Sequence, residues 1–376
     1  MNLRKIIPLL LMLCFAPLPA ARAEVEDLSP LIAESLEIKP VPGAVAAIVR
    51  GDRIIALGAA GFRCRGTADK VTVNDQFHIG SCTKSMTATL CAMLVEEGKL
   101  RWDTTLGEVF SDLREKMQPA YRTVTLAQLL TNHGGIPANA TVGNWNARIR
   151  DAGISALDGR KIVLEAVVTN PPEAEPGKAF IYSNASFIIA GHMAEKVTGE
   201  SFEELLQKRL FQPLGMTSAG FGAPGKPDAF EQPYGHAQNG FPVEPGPAAD
   251  NPQAMGPAGT VHCSVIDWAK FAALHLQGER GQAKLLKPET FKTLHTAIRG
   301  KRPGDSNYAM GWTVFTYPWA GGVTFTHAGS NNLWYANMLI APNKNLAILI
   351  MTNQGMPHGR EAEQEIERRL ITTYAR

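Results

Sequence analysis

The sequence predicts a mixed α/β fold, an antiparallel sheet combined with a large helical section. Three observations carry that expectation. In the last third of the chain, apolar runs at residues 308–315, 323–327, 333–341 and 346–352 are separated by tight turns, among them Pro342-Asn343-Lys344-Asn345. Successive strands with such short connections pair antiparallel. Near the start, residues 44–49 and 54–60 are apolar and flank Gly51-Asp52, a good two-residue hairpin turn. Between these regions, residues 82–95 carry a single charge, Lys84. A helix that apolar and neutral on every side is buried inside a large domain.

This helix follows a strand-like run, residues 71–79, that ends at Gly80, and it reads as far as about Glu97. Ser81 stands at its start, where serine is a favoured N-cap and backbone N–H groups point outward. Lys84 comes three residues later on the same face. A serine hydroxyl is a poor nucleophile until a neighbouring base takes its proton. A lysine ammonium, normally near pKa ~10.4, can become that base where burial and a helix N-terminus disfavour its charge. A capping serine and a lysine snorkelling to water would leave the same two residues. Ser-x-x-Lys also matches by chance about once in a chain of this length. Here it occurs once, on the most apolar helix downstream of residue 23.

Residues 1–23 read as a secretory signal peptide: a charged Arg4-Lys5, an apolar run over residues 6–19, and Ala21-Arg22-Ala23 as a small-x-small cleavage site. Cleavage after Ala23 would start the mature protein at Glu24 and deliver it to the periplasm or the medium. Cys14 lies inside the apolar run, and Leu11-Met12-Leu13 before it lacks the small residues of a lipidation site. No later run of 18 apolar residues occurs, so no membrane span is expected in the mature chain. The leader holds three of the 37 basic residues and none of the 35 acidic ones, so 34 face 35 and the mature net charge is −1. A near-neutral chain without a Lys/Arg run argues against nucleic acid as a partner.

The 353 residues that follow Ala23 exceed one small core. They point to one large domain with an insertion, or two domains sharing a cleft. Cys64, Cys82, Cys91 and Cys263 remain; four scattered cysteines define no disulfide framework, and buried free thiols are the default. There is no His-Glu-x-x-His and no Cys/His cluster, so no metal is implied, and no cofactor either. Nothing in the sequence sets an oligomeric state.

Residues 24–38 read as a short amphipathic helix. Residues 100–170 read as a helical insertion with short helices near 106–110, 125–130 and 162–168, and with His133 in an Asn132-His133-Gly134-Gly135 loop. Pro176-Gly177 makes a turn that delivers Tyr182 and Asn184 ahead of an apolar helix at 185–197. Ser201 then caps a second helix, with Glu203 and Glu204 in its first turn. Residues 220–259 hold eight prolines, with Phe230, Tyr234 and Phe241, and read as a long ordered loop edging a site. Ser264 caps a helix at 265–276, and residues 361–374 form a terminal helix. Viewed alone, Tyr182 could equally be core and His327 structural.

Three elements stand in order: Ser81-x-x-Lys84, Tyr182-x-Asn184 and His327-x-Gly329. Together they resemble the serine β-lactamase and penicillin-binding-protein superfamily, most closely its class C β-lactamase-related branch of esterases, D,D-carboxypeptidases and D-aminopeptidases. The resemblance covers nearly the whole mature chain. It is supported by Leu129-Leu130-Thr131, Pro176-Gly177, Leu214-Gly215-Met216-Thr217, Pro257-Ala258-Gly259 and Gly311-Trp312. A second Tyr-x-Asn, Tyr335-Ala336-Asn337, follows His327 on a strand and is set aside.

The resemblance implies a β-lactamase/transpeptidase-like fold over residues 24–376: an antiparallel sheet with helices on both faces plus a helical subdomain, and the site between them. It implies that Ser81 is the acylated nucleophile and that Lys84 and Tyr182 are its base and proton relay. Asn184 would hold a substrate amide, and the backbone N–H groups of Ser81 and Ser330 beside Gly329 would form the oxyanion hole. His327 stands where β-lactamases carry the lysine of Lys-Thr-Gly, a departure that argues against efficient β-lactam turnover. The expected activity is an exported serine hydrolase acting on an ester or amide: a short acyl ester, a D-amino-acid peptide or another peptidoglycan-derived substrate, or a β-lactam. The alternative is a penicillin-binding sensor or binding protein that is acylated with little turnover.

Overall fold

The computed structural model describes residues 24–138, 142–150, 153–298 and 306–375. The leader expected at residues 1–23 lies outside them. The strands in chain order are β1 (Glu26–Asp27), β2 (Gly43–Arg50), β3 (Arg53–Gly61), β4 (Gln76–His78), β5 (Gly220–Phe221), β6 (Gly235–His236), β7 (Pro242–Val243), β8 (Val261–Ser264), β9 (Thr313–Tyr317), β10 (Gly322–Ser330), β11 (Tyr335–Ala341) and β12 (Leu346–Thr352). Seven of these form the main sheet in the order β1-β3-β2-β12-β11-β10-β9. The β1–β3 pair is parallel and the other pairs of this sheet are antiparallel. The hairpin at Gly51-Asp52 and the C-terminal strands expected from sequence therefore join in one sheet, with β12 paired to β2 from Leu346↔Arg50 to Thr352↔Ala44.

The helices are α1 (Ser29–Ile38), α2 (Thr83–Glu96), α3 (Leu106–Val109), α4 (Leu126–Leu130), α5 (Trp145–Arg148), α6 (Ala156–Val168), α7 (Asn184–Thr198), α8 (Phe202–Leu206), α9 (Gln212–Leu214), α10 (Gly256–Gly259), α11 (Val265–Glu279), α12 (Pro288–His295) and α13 (His358–Tyr374). Among the described residues no helix is long and apolar enough to cross a membrane.

Helices cover both faces of the main sheet, which explains why its central strands are apolar throughout rather than alternating. Ala44, Ala46, Ile48, Ile348 and Ile350 pack with Ile32 of α1 and Ile366 and Leu370 of α13. Val45, Ala47, Val49, Ala347, Leu349 and Met351 face the other way, into the large core that includes α2 and α11. Side chains of successive strand residues point to opposite faces, so each strand serves both cores.

The helical section is held by local caps and one buried charge cluster. Capping boxes start α3 at Thr105/Glu108, α4 at Thr125/Gln128 and α8 at Ser201/Glu204. Arg160 of α6, fully buried, pairs with Glu195 of α7 at 2.9 Å and Glu203 of α8 at 2.8 Å. Removing one partner of such a buried set would leave an uncompensated charge. Cys64, Cys82, Cys91 and Cys263 are buried free thiols.

Three expectations require correction. The helix expected over residues 24–38 starts only at Ser29, because Glu26–Asp27 pairs with β3 as a short strand. The strand before Ser81 covers only Gln76–His78 and belongs to a separate three-stranded sheet, β4-β8-β5. The chain ahead of it turns because the Asp75 carboxylate accepts from the Thr72 N–H and hydroxyl. The strand expected from residue 308 starts at Thr313 instead. Gly311 is left-handed (φ +76°), and a Cβ there would lie 2.7 Å from the Lys84 carbonyl, so this segment turns against α2.

The underside of the sheet carries a pH-sensitive contact. Asn337 of β11 donates to Glu363 at 2.8 Å and to Glu367 at 2.9 Å, both on α13. Burial, then the neighbouring Glu367 carboxylate, pushes Glu363 up to about 8. The unfolded chain gives up that proton near pH ~4.3, whereas the native state keeps it. The stabilisation is thus full below that value, declines as pH rises, and is gone above about 8. Thermal melts of wild type and Glu363→Gln from pH 5 to 9 should show a falling Tm for the former and a flatter profile for the latter. Parallel profiles would overturn this assignment.

Candidate active site

The nucleophile candidate is delivered by a tight backbone seam. Ser81 lies in a 3-10 turn, Gly80–Cys82, directly before α2. Gly80 has φ +50°, and a Cβ there would sit 2.4 Å from the Ser330 amide nitrogen. On the facing strand, a Cβ at Gly329 would sit 2.6 Å from the Ser81 amide nitrogen. Only glycine fits at either position, and the close approach brings the Ser81 and Ser330 amides into one seam. Ser81 is not the N-cap that the sequence led us to expect. The helix starts two residues later, at Thr83, and the Ser81 hydroxyl is engaged by Lys84 instead.

Lys84 is completely buried. Its Nζ is 3.0 Å from Ser81 Oγ, 2.8 Å from Asn184 Oδ1 and 2.7 Å from the Ala258 carbonyl. An ammonium has three hydrogens, and each has an acceptor. Asn184 is the first residue of α7 and Ala258 sits in α10. Lys84 thereby ties the nucleophile helix to both neighbours.

Tyr182 comes to Lys84 through its ring, with Nζ 5.0 Å from the ring centroid. The side chain is 39% exposed, and its hydroxyl has no hydrogen bond within the described residues. Its segment is clamped from below. Ile181 N–H donates to the Asn132 carbonyl (2.9 Å), Ser183 N–H to Asn132 Oδ1 (3.1 Å), and Gly177 N–H to the His133 carbonyl (2.7 Å). His133 is buried and hydrogen-bonds the Thr131 carbonyl, a structural position.

His327 is buried on β10. Its Nδ1 lies 2.7 Å from the Ala328 carbonyl, so Nδ1 carries the hydrogen, and Nε2 accepts from the Tyr308 hydroxyl at 2.9 Å. Burial, then the positive charge of Lys84, drives His327 down to about 3, so the ring is neutral. Tyr308 is itself buried, which pushes its hydroxyl well up and keeps it a donor. Its ring meets Tyr182 edge-on, 6.1 Å between centroids, and Phe180 at 5.5 Å. The Ser330 hydroxyl is spent on the turn after β10, donating to the Trp334 carbonyl at 2.6 Å.

Ser81, Lys84, Asn184 and the Gly329–Ser330 backbone are therefore brought together, with Tyr182 and His327 on the adjoining wall. Arg299 and Arg302, two cations that could replace the missing lysine charge at position 327, lie outside the described residues. Sequence reasoning missed Tyr308 and the Ala258 carbonyl. Tyr308 sits three residues before the Gly311-Trp312 pair, the only local signal that could have marked it.

The Beta-lactamase family profile matches residues 28–373. The chain belongs to that family. Members of the beta-lactamase family are mostly serine hydrolases. Penicillin-binding protein 4 of Amycolatopsis lactamdurans is 28% identical over 324 residues, covering 84% of this chain and 82% of its own. Unguisins hydrolase ungD of Aspergillus violaceofuscus is 27% identical over 353 residues, covering 85% of this chain; the match spans 59% of that longer protein. The octameric penicillin-binding protein homologue from Pyrococcus abyssi superposes with a TM-score of 0.72 at 25% identity, over 91% of this chain and 76% of its own. The mixed α/β fold with a helix-covered sheet is shared with this solved homologue.

Proposed function

We propose that this beta-lactamase family member is a serine hydrolase that forms an acyl-enzyme on Ser81 and releases it to water. The observation that carries the reading is the three-way contact of Lys84. Asn184 Oδ1 and the Ala258 carbonyl accept two hydrogens. The third position, 3.0 Å from Ser81 Oγ, holds a proton in the ammonium and a lone pair in the neutral amine. The neutral form would take the Ser81 proton as Oγ attacks the substrate carbonyl, forming the tetrahedral adduct, and would hand it to the leaving group as that adduct collapses. The Ser81 and Ser330 N–H groups would stabilise the oxyanion. Tyr182, half-exposed beside Nζ, would relay the proton to the leaving atom. Water then attacks the acyl-enzyme by the same route in reverse.

Among the described residues, the aromatic wall on the substrate side of the site carries no charge. His327, Tyr308, Phe180 and Tyr182 form an aromatic wall in which the His327 imidazole is uncharged. An uncharged short-chain ester or amide suits this wall better than a substrate anchored by a carboxylate. A p-nitrophenyl ester should therefore exceed a chromogenic cephalosporin in kcat/KM, and His327→Lys should raise the cephalosporin's share. A wild type that prefers the cephalosporin by more than about tenfold, roughly 1.4 kcal/mol of transition-state binding, would overturn the substrate assignment. Residues 1–23 are proposed to export the protein, with residues 24–376 as the hydrolase domain. Mass spectrometry of protein recovered from the periplasm or medium should find Glu24 as the first residue.

A further inference from the structure

The Ser81 amide can act only if the peptide carrying it is held, and the hold comes from outside the catalytic set. Gly80 is pinned at both ends. Its carbonyl accepts from the Thr83 hydroxyl at 2.8 Å. Because carbonyl and N–H of a trans peptide point in opposite directions, this contact aims the Ser81 N–H away from the helix. Its own N–H donates to His78 Nδ1 at 3.1 Å. Nδ1 is therefore the unprotonated nitrogen, and Nε2 carries the hydrogen, which it gives to Asp250 Oδ1 at 2.9 Å. His78 is completely buried and stacked on Trp334, 5.8 Å between centroids, so the ring has one orientation.

We propose that His78, its tautomer set by Asp250, is a positioning residue for the oxyanion hole: it holds the left-handed Gly80 so that the Ser81 N–H faces the reacting carbonyl. This rests on the reading of Ser81 as nucleophile. Without Asp250 only the Gly80 N–H at Nδ1 would favour the hydrogen on Nε2. The other tautomer would set an N–H against the Gly80 N–H and loosen the turn. Asp250 belongs to the long loop ahead of α10, and its neighbour Asn251 donates to the Gly259 carbonyl at 2.7 Å, one residue from the carbonyl that holds Lys84. The loop thus braces both halves of the machinery.

The two ends of the imidazole can be tested apart. His78→Asn keeps an acceptor near the Nδ1 position and loses the reach to Asp250. His78→Gln keeps a donor toward Asp250 and loses the acceptor for Gly80. We expect His78→Gln to lower kcat for a p-nitrophenyl ester toward the ~10²-fold seen when an oxyanion donor is removed, with KM little changed. His78→Asn should recover most of kcat. Asp250→Ala should lower kcat, while Asp250→Asn, with a carbonyl for the Nε2 hydrogen, should not. The rate of fluorophosphonate labelling should follow kcat in each variant. Equal losses in His78→Asn and His78→Gln that track a lowered Tm would reduce His78 to a packing role and overturn the proposal; if neither folds, equal kcat in the two Asp250 variants does so. A wild type that fluorophosphonate labels at a residue other than Ser81 overturns the underlying reading instead, and with it this one.

Discussion

Ser81→Ala is expected to abolish turnover of a chromogenic ester and all labelling by fluorophosphonate, a loss of about 10⁴-fold or more. Of the three oxygens that meet Lys84 Nζ, the Ser81 hydroxyl is the one that can act as a nucleophile; the others are the Asn184 amide oxygen and the Ala258 backbone carbonyl. No other serine lies against a buried lysine in this way among the described residues. The fold should survive, because Ser81 sits in the turn before α2 and caps nothing. Its loss deletes one hydrogen bond worth about 1 kcal/mol, so Tm should move by only a few degrees. Ester hydrolysis by the variant near the wild-type rate would place the nucleophile elsewhere.

How much of this was legible in the sequence depends on how local each signal is. The buried α2 could be read because one charge in fourteen residues is a strong pattern. Ser264 and Ser201 could be read as caps because the capping residue and its partner lie three apart, and the structure bonds both pairs. Ser81 was read beside the start of α2, but as a cap, which it is not. Its neighbour Gly80 lies left-handed and too close to Ser330, some 250 residues away, for any side chain, and no local pattern reports that approach. The same limit hid Tyr308, whose partner His327 is nineteen residues distant, and the Ala258 carbonyl, since a backbone acceptor leaves no mark on residue identity. The strand ahead of β4 was overextended because its Val and Thr content favours strands, whereas the Asp75 side chain diverts the backbone at Thr72.

Lys84 and Tyr182 should act as one unit, and the double variant tests this. General-base assistance contributes about 10²–10⁴-fold, so Lys84→Met should lower kcat/KM for the ester by that order. Methionine fills most of the volume but leaves the Asn184 and Ala258 oxygens without a donor, so a lower Tm accompanies the loss. Tyr182→Phe keeps the ring beside Lys84 and deletes only the hydroxyl. That hydroxyl bonds neither Lys84 nor Ser81 in the resting structure. A structural role would therefore leave Tyr182→Phe active, whereas a relay that forms once substrate is bound would make it nearly as slow as Lys84→Met. Catalytic hydrogen bonds that are open in the free enzyme commonly close in the substrate complex. Groups passing one proton between them are non-additive, so the double variant should be little slower than the worse single one. Single-turnover acylation rates for the four proteins decide it: multiplicative losses would assign the two residues separate tasks, and an unimpaired Tyr182→Phe would remove the tyrosine from the relay.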